Sequence, residues 1–182
     1  MEYFDILNED GMRTGEIKER SLVHKDGDLH GSVRIYIFRK VDNNKFEVLL
    51  QIRSNDKDSY PGCFDVSSAG HVDLGEEFID AAVRELNEEL GIKAKKEDFT
   101  FLFRQKLMAK DVFHNKIFIS NEINNVYVLN SYIDVSHINY DKSEIQGVKW
   151  MSTDEVLHNI ANGNKKFCIG LEEYKRVLGA LV

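Results

Sequence analysis

The sequence predicts an α+β fold of the α/β/α sandwich type, on three observations. Runs rich in β-branched and aromatic residues recur along most of the chain, bounded by Asp, Asn and Gly turn signals. One acidic segment with helical periodicity interrupts them, and two further helical segments follow near the C-terminal end.

The elements follow in order. Residues 3–7 and 15–18 flank Asn8-Glu9-Asp10-Gly11, a hairpin with Asp-Gly turn chemistry. Residues 32–39 (SVRIYIFR) and 45–52 (KFEVLLQI) read as long strands on either side of an Asp42-Asn43-Asn44 turn. Residues 66–69 form a short strand leading into the acidic helix, and residues 99–108, 117–129 and 146–151 supply the remaining strands. Residues 153–161 and 171–181 are expected as helices. A single proline and the lack of repeats or low-complexity stretches argue against linkers, so one domain over 1–182 is expected.

Composition excludes several classes. The hydrophobic share of 42% over 182 residues suffices for one proper core. A net charge of −7 leaves no basic footprint for a nucleic-acid polymer. No apolar run approaches the length of a membrane span and no signal peptide opens the chain. Cys63 and Cys168 are too few for a disulfide framework, which points to the reducing cytoplasm.

The chemistry concentrates in one helix. From Glu76 to Glu89, six acids (Glu76, Glu77, Asp80, Glu85, Glu88, Glu89) face a single base, Arg84. Glu85, Glu88 and Glu89 share one helix face, where like charges repel, and two of them sit in the last turn, where the helix dipole also disfavours them. Ile79, Ala82, Val83, Leu86 and Leu90 form the neighbouring apolar stripe, which puts Glu89 at the edge of the buried face. A hard divalent cation, Mg²⁺ or Mn²⁺, reverses the sign of each of these costs. The structural alternative is a solvated acidic face.

The spacing completes the pattern. Gly70, five residues, Glu76, seven residues, then Arg84-Glu85-Leu86-Asn87-Glu88-Glu89-Leu90-Gly91-Ile92 resembles the Nudix box at every position over 70–92. The resemblance implies a Nudix fold with a mixed central sheet and a loop-helix-loop module. It implies further that the Gly70 carbonyl and the carboxylates of Glu85, Glu88 and Glu89 hold Mg²⁺ or Mn²⁺, while Glu76 and Arg84 brace the loop. Gly91 suits a left-handed helix cap independently of any family.

The N-terminal stretch and YPGCFDVSSAGHVDLGE are similar to the branch of Nudix proteins that contains isopentenyl-diphosphate isomerases. Those isomerases need a protonating cysteine immediately before the Gly-His pair, and Ala69 stands there. Cys63, about 20 Å upstream in extended chain, is read as a small core residue. His24, His30 and His71 fall where that branch places a three-histidine metal site, a second candidate metal set. The alternative is that His24 and His30 flank a polar turn and hydrogen-bond there. The acids expected to complete that set, just before residues 126–129, are replaced by Ile123-Asn124-Asn125, with Glu122 nearby. His114, His137 and His158 read as surface residues.

Glu144 sits where many Nudix hydrolases present a loop glutamate that assists the metal or acts as base; otherwise it is a solvated acid. Arg53 is a candidate phosphate clamp, or else a partner of Asp56 or Asp58. Trp150 and Met151 read as core, and Arg104 and Lys106 as candidate phosphate contacts. The expectation is a Mg²⁺-dependent hydrolase of a diphosphate linkage in a nucleoside diphosphate or a derivative of one. Glu85, Glu88, Glu144 and Arg84 form its catalytic set, and the chain acts on a small molecule as a monomer or homodimer. The alternatives are an isomerase-like enzyme of isoprenoid diphosphates and a Nudix module that binds without turnover.

Overall fold

The computed structural model describes residues 2–42, 45–57, 59–113, 116–130, 133 and 138–181. In chain order it contains β1 (Tyr3–Leu7), β2 (Arg13–Glu19), α1 (Arg20–Asp26), β3 (His30–Asp42), β4 (Lys45–Arg53), β5 (Phe64–Asp65) and β6 (Ser68–His71). Then come α2 (Phe78–Leu90), a 3₁₀ turn (Lys96–Asp98), β7 (Phe99–Phe113), β8 (Lys116–Leu129), β9 (Ile145–Ser152), α3 (Thr153–Ala161) and α4 (Leu171–Gly179).

β1 and β2 form the expected N-terminal hairpin as a separate two-stranded sheet. The main sheet is mixed and β3 is its hub. β3 runs parallel to β8, from His30 opposite Glu122 to Ile37 opposite Leu129. Its first half pairs antiparallel with β6 and its second half with β4. β7 pairs antiparallel with the far side of β8, and β4 also carries β5 and β9.

Both faces of β3 are covered, which is why residues 35–38 (IYIF) are apolar without alternation. Alternation sends Val33, Ile35 and Ile37, with Leu49 of β4, toward Ala81, Ala82, Leu86 and Leu90 of α2. It sends Tyr36, with Val48 and Leu50, toward Val156 of α3 and Tyr174 and Val177 of α4. Leu86 and Leu90 are both fully buried, and each stabilises the packing by roughly 2 kcal/mol. Trp150 packs beside the α2 layer, with the Arg39 guanidinium 4.5 Å over its ring, and Met151 is buried on the α3/α4 side.

Four differences from the sequence reading have local causes. The short strand expected at 66–69 is displaced to β6 (Ser68–His71), which pairs with β3, while β5 (Phe64–Asp65) before it pairs with β4. β7 extends to Phe113, since β8 continues alongside it as far as Lys116. α1 was not anticipated. It has seven residues and no amphipathic stripe, and it is fixed by the burial of Val23 and His24 and closed by Gly27 in the left-handed conformation. Cys63 is half-buried rather than core, its Sγ 3.5 Å from the Lys165 carbonyl. His158 is exposed as expected, whereas His114, His137, Asp58 and the Asn43-Asn44 turn lie outside the described residues.

Candidate active site

β6 ends beside α2, and their contact is set by a missing side chain. A Cβ on Gly70 would collide with the Glu85 carboxylate, so the absence of a side chain there lets that carboxylate lie against the strand. Arg84 then organises the segment. Its Nε and Nη2 donate to the two carboxylate oxygens of Glu76 at 3.0 and 2.9 Å, and Nη2 also donates to the His71 carbonyl at 2.9 Å. Its Nη1 donates to Glu85 at 2.7 Å and to Glu88 at 3.0 Å. Arg84 thus ties the Glu76 carboxylate to Glu85 and Glu88.

The three glutamates differ in burial. Glu88 has a side chain 58% exposed. Glu85 is largely buried, and burial raises its carboxyl pKa even though Arg84 opposes the shift. Glu89 is 6% exposed and has no ion pair among the described residues. The Ala69 amide donates to it at 3.0 Å and the Gln51 side chain approaches at 3.4 Å. Burial, reinforced by the charge of Glu85, lifts its carboxyl to about 7. A carboxylate so placed, next to two others, fits a hard divalent cation supplied from solution.

The far end of α2 is tied to the next wall. Gly91 caps the helix at φ +66, and the Asn139 carbonyl lies 2.8 Å from where its Cβ would be. The Asp141 amide donates to the Glu89 carbonyl at 3.1 Å. This contact brings Asp141 and Glu144 to a cleft of about 870 Å³ that also takes in Gly70, Glu85, Glu88 and Glu89. Glu144 is paired with Lys57. The Lys57 pKa is lowered by burial and by Arg53.

Arg53 lines the cleft. Its Nε and Nη2 donate to the Ser59 carbonyl at 3.2 and 2.9 Å, and its Nη1 reaches Asp65 at 3.4 Å, so it ties Ser59 to Asp65 instead of pairing with Asp56. Arg20, fixed by Glu2 at 2.6 Å, is a further cation at the cleft that no local signal in the sequence marked. Arg104 and Lys106 are not on the cleft: Arg104 bonds Asn125 and lies over Phe78, and Lys106 pairs with Glu9.

His24, His30 and His71 converge, with ligand atoms all within 4.8 Å of one another. His24 Nδ1 donates to the Ile119 carbonyl at 3.1 Å and His30 Nδ1 to the Asp28 carbonyl at 2.9 Å. A carbonyl only accepts, so each Nδ1 carries a proton, and in the neutral ring each Nε2 offers a lone pair. Both Nε2 atoms are buried without a hydrogen-bond partner among the described residues. Glu122 Oε1 lies 4.0 Å from His30 Nε2 and 3.9 Å from His71 Nε2, oriented by Ser120 and Asn124. His24 in α1 and His30 at the start of β3 do flank residues 25–28 and each makes a hydrogen bond, as the alternative reading expected, and they also converge with His71. Burial depresses the His24 pKa to about 4 and takes His71 well below the usual imidazole range. Glu122 was legible only as a residue near the expected position. It faces the histidines because the parallel register sets it beside His30.

A family model described as the NUDIX domain matches residues 28–169. Nudix hydrolase 3 of Arabidopsis thaliana is 40% identical over 158 residues, covering 85% of this chain and 20% of that protein, so the chain spans about a fifth of that relative's length. An isopentenyl-diphosphate Delta-isomerase of Pectobacterium atrosepticum is 29% identical over 163 residues, covering 89% of this chain and 83% of that one. The crystal structure of DR0079 from Deinococcus radiodurans shares the fold, with a TM-score of 0.71 and 21% identity over 96% of this chain and 98% of that one. The family match contains all of residues 70–92 together with the strands that present them, and the chain belongs to the Nudix hydrolase family, on a branch whose relatives include isopentenyl-diphosphate isomerases.

Proposed function

We propose that the chain is a Mg²⁺-dependent hydrolase that cleaves the diphosphate linkage of a nucleoside diphosphate or a derivative of one. The observation that carries this reading is Glu89, a buried carboxylate without an ion pair among the described residues, grouped with Glu85, Glu88 and the Gly70 segment. These residues would hold the cation, Mg²⁺ or Mn²⁺. Bound there, it would polarise phosphoryl oxygens, lower the pKa of the attacking water and offset charge on the departing phosphate.

The protein's own groups do the rest. Arg20, Arg53 and Lys57 line the cleft with positive charge suited to phosphate oxygens. Whichever of Glu85, Glu88 and Glu89 contacts the attacking water rather than the cation is the first candidate to take its proton, and Glu144 across the cleft is the second. Arg84 keeps Glu85 and Glu88 in place. The volume of about 870 Å³ is at the upper end of ordinary ligand pockets and has room for a base and sugar beside a diphosphate.

His24, His30, His71 and Glu122 form a second candidate metal set, with imidazole-rich chemistry suited to Zn²⁺ or Mn²⁺. This set also favours a second reading, an enzyme acting on isoprenoid diphosphates. Ala69 lines the cleft where that branch needs a thiol. Cys168 also lines it, but its thiol donates to the Phe64 carbonyl at 3.2 Å and burial keeps it protonated. Isomerisation by the cysteine route is therefore absent from this reading. Among the described residues no helix is long and apolar enough to cross a membrane. Free Cys63 and Cys168 fit a cytoplasmic protein.

The test is a Mg²⁺-dependent phosphate-release screen over nucleoside di- and triphosphates, dinucleotides, nucleotide sugars, coenzyme A and isoprenoid diphosphates. Turnover of nucleoside diphosphates or their derivatives supports the proposal. Turnover confined to isoprenoid diphosphates would replace it with the second reading.

A further inference from the structure

We infer that the N-terminal hairpin is a positioning element of the metal site, acting through Asp5 and Arg13. This inference rests on the proposed role of Glu85 and Glu88 as metal ligands. The loop between β6 and α2 is pinned from outside by these two side chains. The Gly75 amide donates to Asp5 Oδ2 at 2.8 Å, and Arg13 Nη2 donates to the Glu76 carbonyl at 2.5 Å. Arg13 Nε also pairs with the same Asp5 oxygen at 3.1 Å, so the two clamps are joined.

Glu76 is thereby held at both ends. Its carbonyl is fixed by Arg13, while its carboxylate accepts from the Asp73 amide at 3.0 Å and grips Arg84 through two hydrogen bonds. Arg84 in turn sets Glu85 and Glu88. A continuous chain of hydrogen bonds thus runs from the hairpin to the ligand carboxylates. Metal sites require their ligands within roughly 0.5 Å of the productive position, and supporting groups supply that precision. Arg13 is 41% exposed, and exposed ion pairs contribute little to overall stability. The effect of losing Arg13 is therefore expected in metal affinity and not in folding, whereas loss of Asp5, 15% exposed, is expected to cost some stability as well.

The experiment is calorimetric Mg²⁺ titration of the wild type and of D5A, D5N, R13M and E88Q, each with a thermal melt. D5A and R13M are expected to weaken Mg²⁺ binding about tenfold, in the range seen for loss of groups that orient metal ligands, and R13M to melt close to wild type. D5N keeps an oxygen acceptor for the Gly75 amide and is expected to restore most of the affinity lost in D5A. E88Q is expected to bind Mg²⁺ much more weakly than the wild type. If E88Q loses Mg²⁺ binding while D5A and R13M bind like the wild type, the clamp is wrong and the ligand assignment stands. Wild-type Mg²⁺ affinity in E88Q removes the ligand assignment and the clamp with it.

Discussion

The carboxylate of Glu85 fills the space in which a Cβ on Gly70 would sit. The box glycine thus leaves room for the Glu85 carboxylate in its present position. In G70A the methyl group is expected to push Glu85 off the strand, weaken Mg²⁺ binding at least tenfold, and cost about 1–3 kcal/mol of stability through overpacking. Calorimetric titration beside a melt checks both. Wild-type affinity in G70A would show that the close approach has no functional weight.

Glu89 links the site to pH. Its folded carboxyl is raised to about 7 by burial and by Glu85, so the folded state favours the neutral acid. The contribution of this group to metal-free stability is full below about pH 4.5 and is lost as pH rises through 7, a change on the order of 3 kcal/mol. E89Q is expected to be more stable than the wild type in EDTA at pH 8 and to lose the advantage at pH 5. Denaturant melts at the two pH values measure this, and an E89Q that is less stable than the wild type at pH 8 would refute it.

The parts of the site that were legible in the sequence are local. Gly70, Glu76, Arg84 and the three glutamates lie within a strand, a loop and one helix, so their spacing alone encodes their geometry, and Gly91 announces its own cap. The histidine set was only half legible, because His30 meets Glu122 through the parallel register of β3 and β8 and not through any sequence proximity. Asp5 and Arg13 reach the 73–77 loop from more than 60 residues away, and no pattern marks them. α1 escaped because a seven-residue helix without an amphipathic stripe has no periodicity to read. Strand existence was read well; ends such as that of β7 depend on the partner strand.

The histidine set leads to a separate expectation. After incubation with Zn²⁺ or Mn²⁺ and desalting, the protein should retain transition metal that H30A and H71A lose, while E88Q keeps it. The His24 pKa is depressed to about 4 by burial, so its neutral form contributes to stability above about 6.5, and that contribution is lost as pH falls through 4. Elemental analysis decides the matter. Equal metal content in the wild type and H30A would remove the second site.

Ala69 makes a prediction about chemistry. Incubated with isopentenyl diphosphate, the protein is expected to form no dimethylallyl diphosphate, since the Cys63 thiol is turned toward the Lys165 carbonyl and does not line the cleft. Proton NMR of the reaction mixture detects the product directly. Its appearance would require a proton donor other than a thiol at position 69.

The central claim is that Glu88 and Glu89 hold the cation on which diphosphate cleavage depends. The direct measurement is the rate of hydrolysis of the best nucleotide substrate at saturating Mg²⁺ by the wild type, E88Q and E89Q. Both variants are expected to remain folded and to turn over at least about a hundredfold more slowly. Wild-type turnover in either variant would contradict the account.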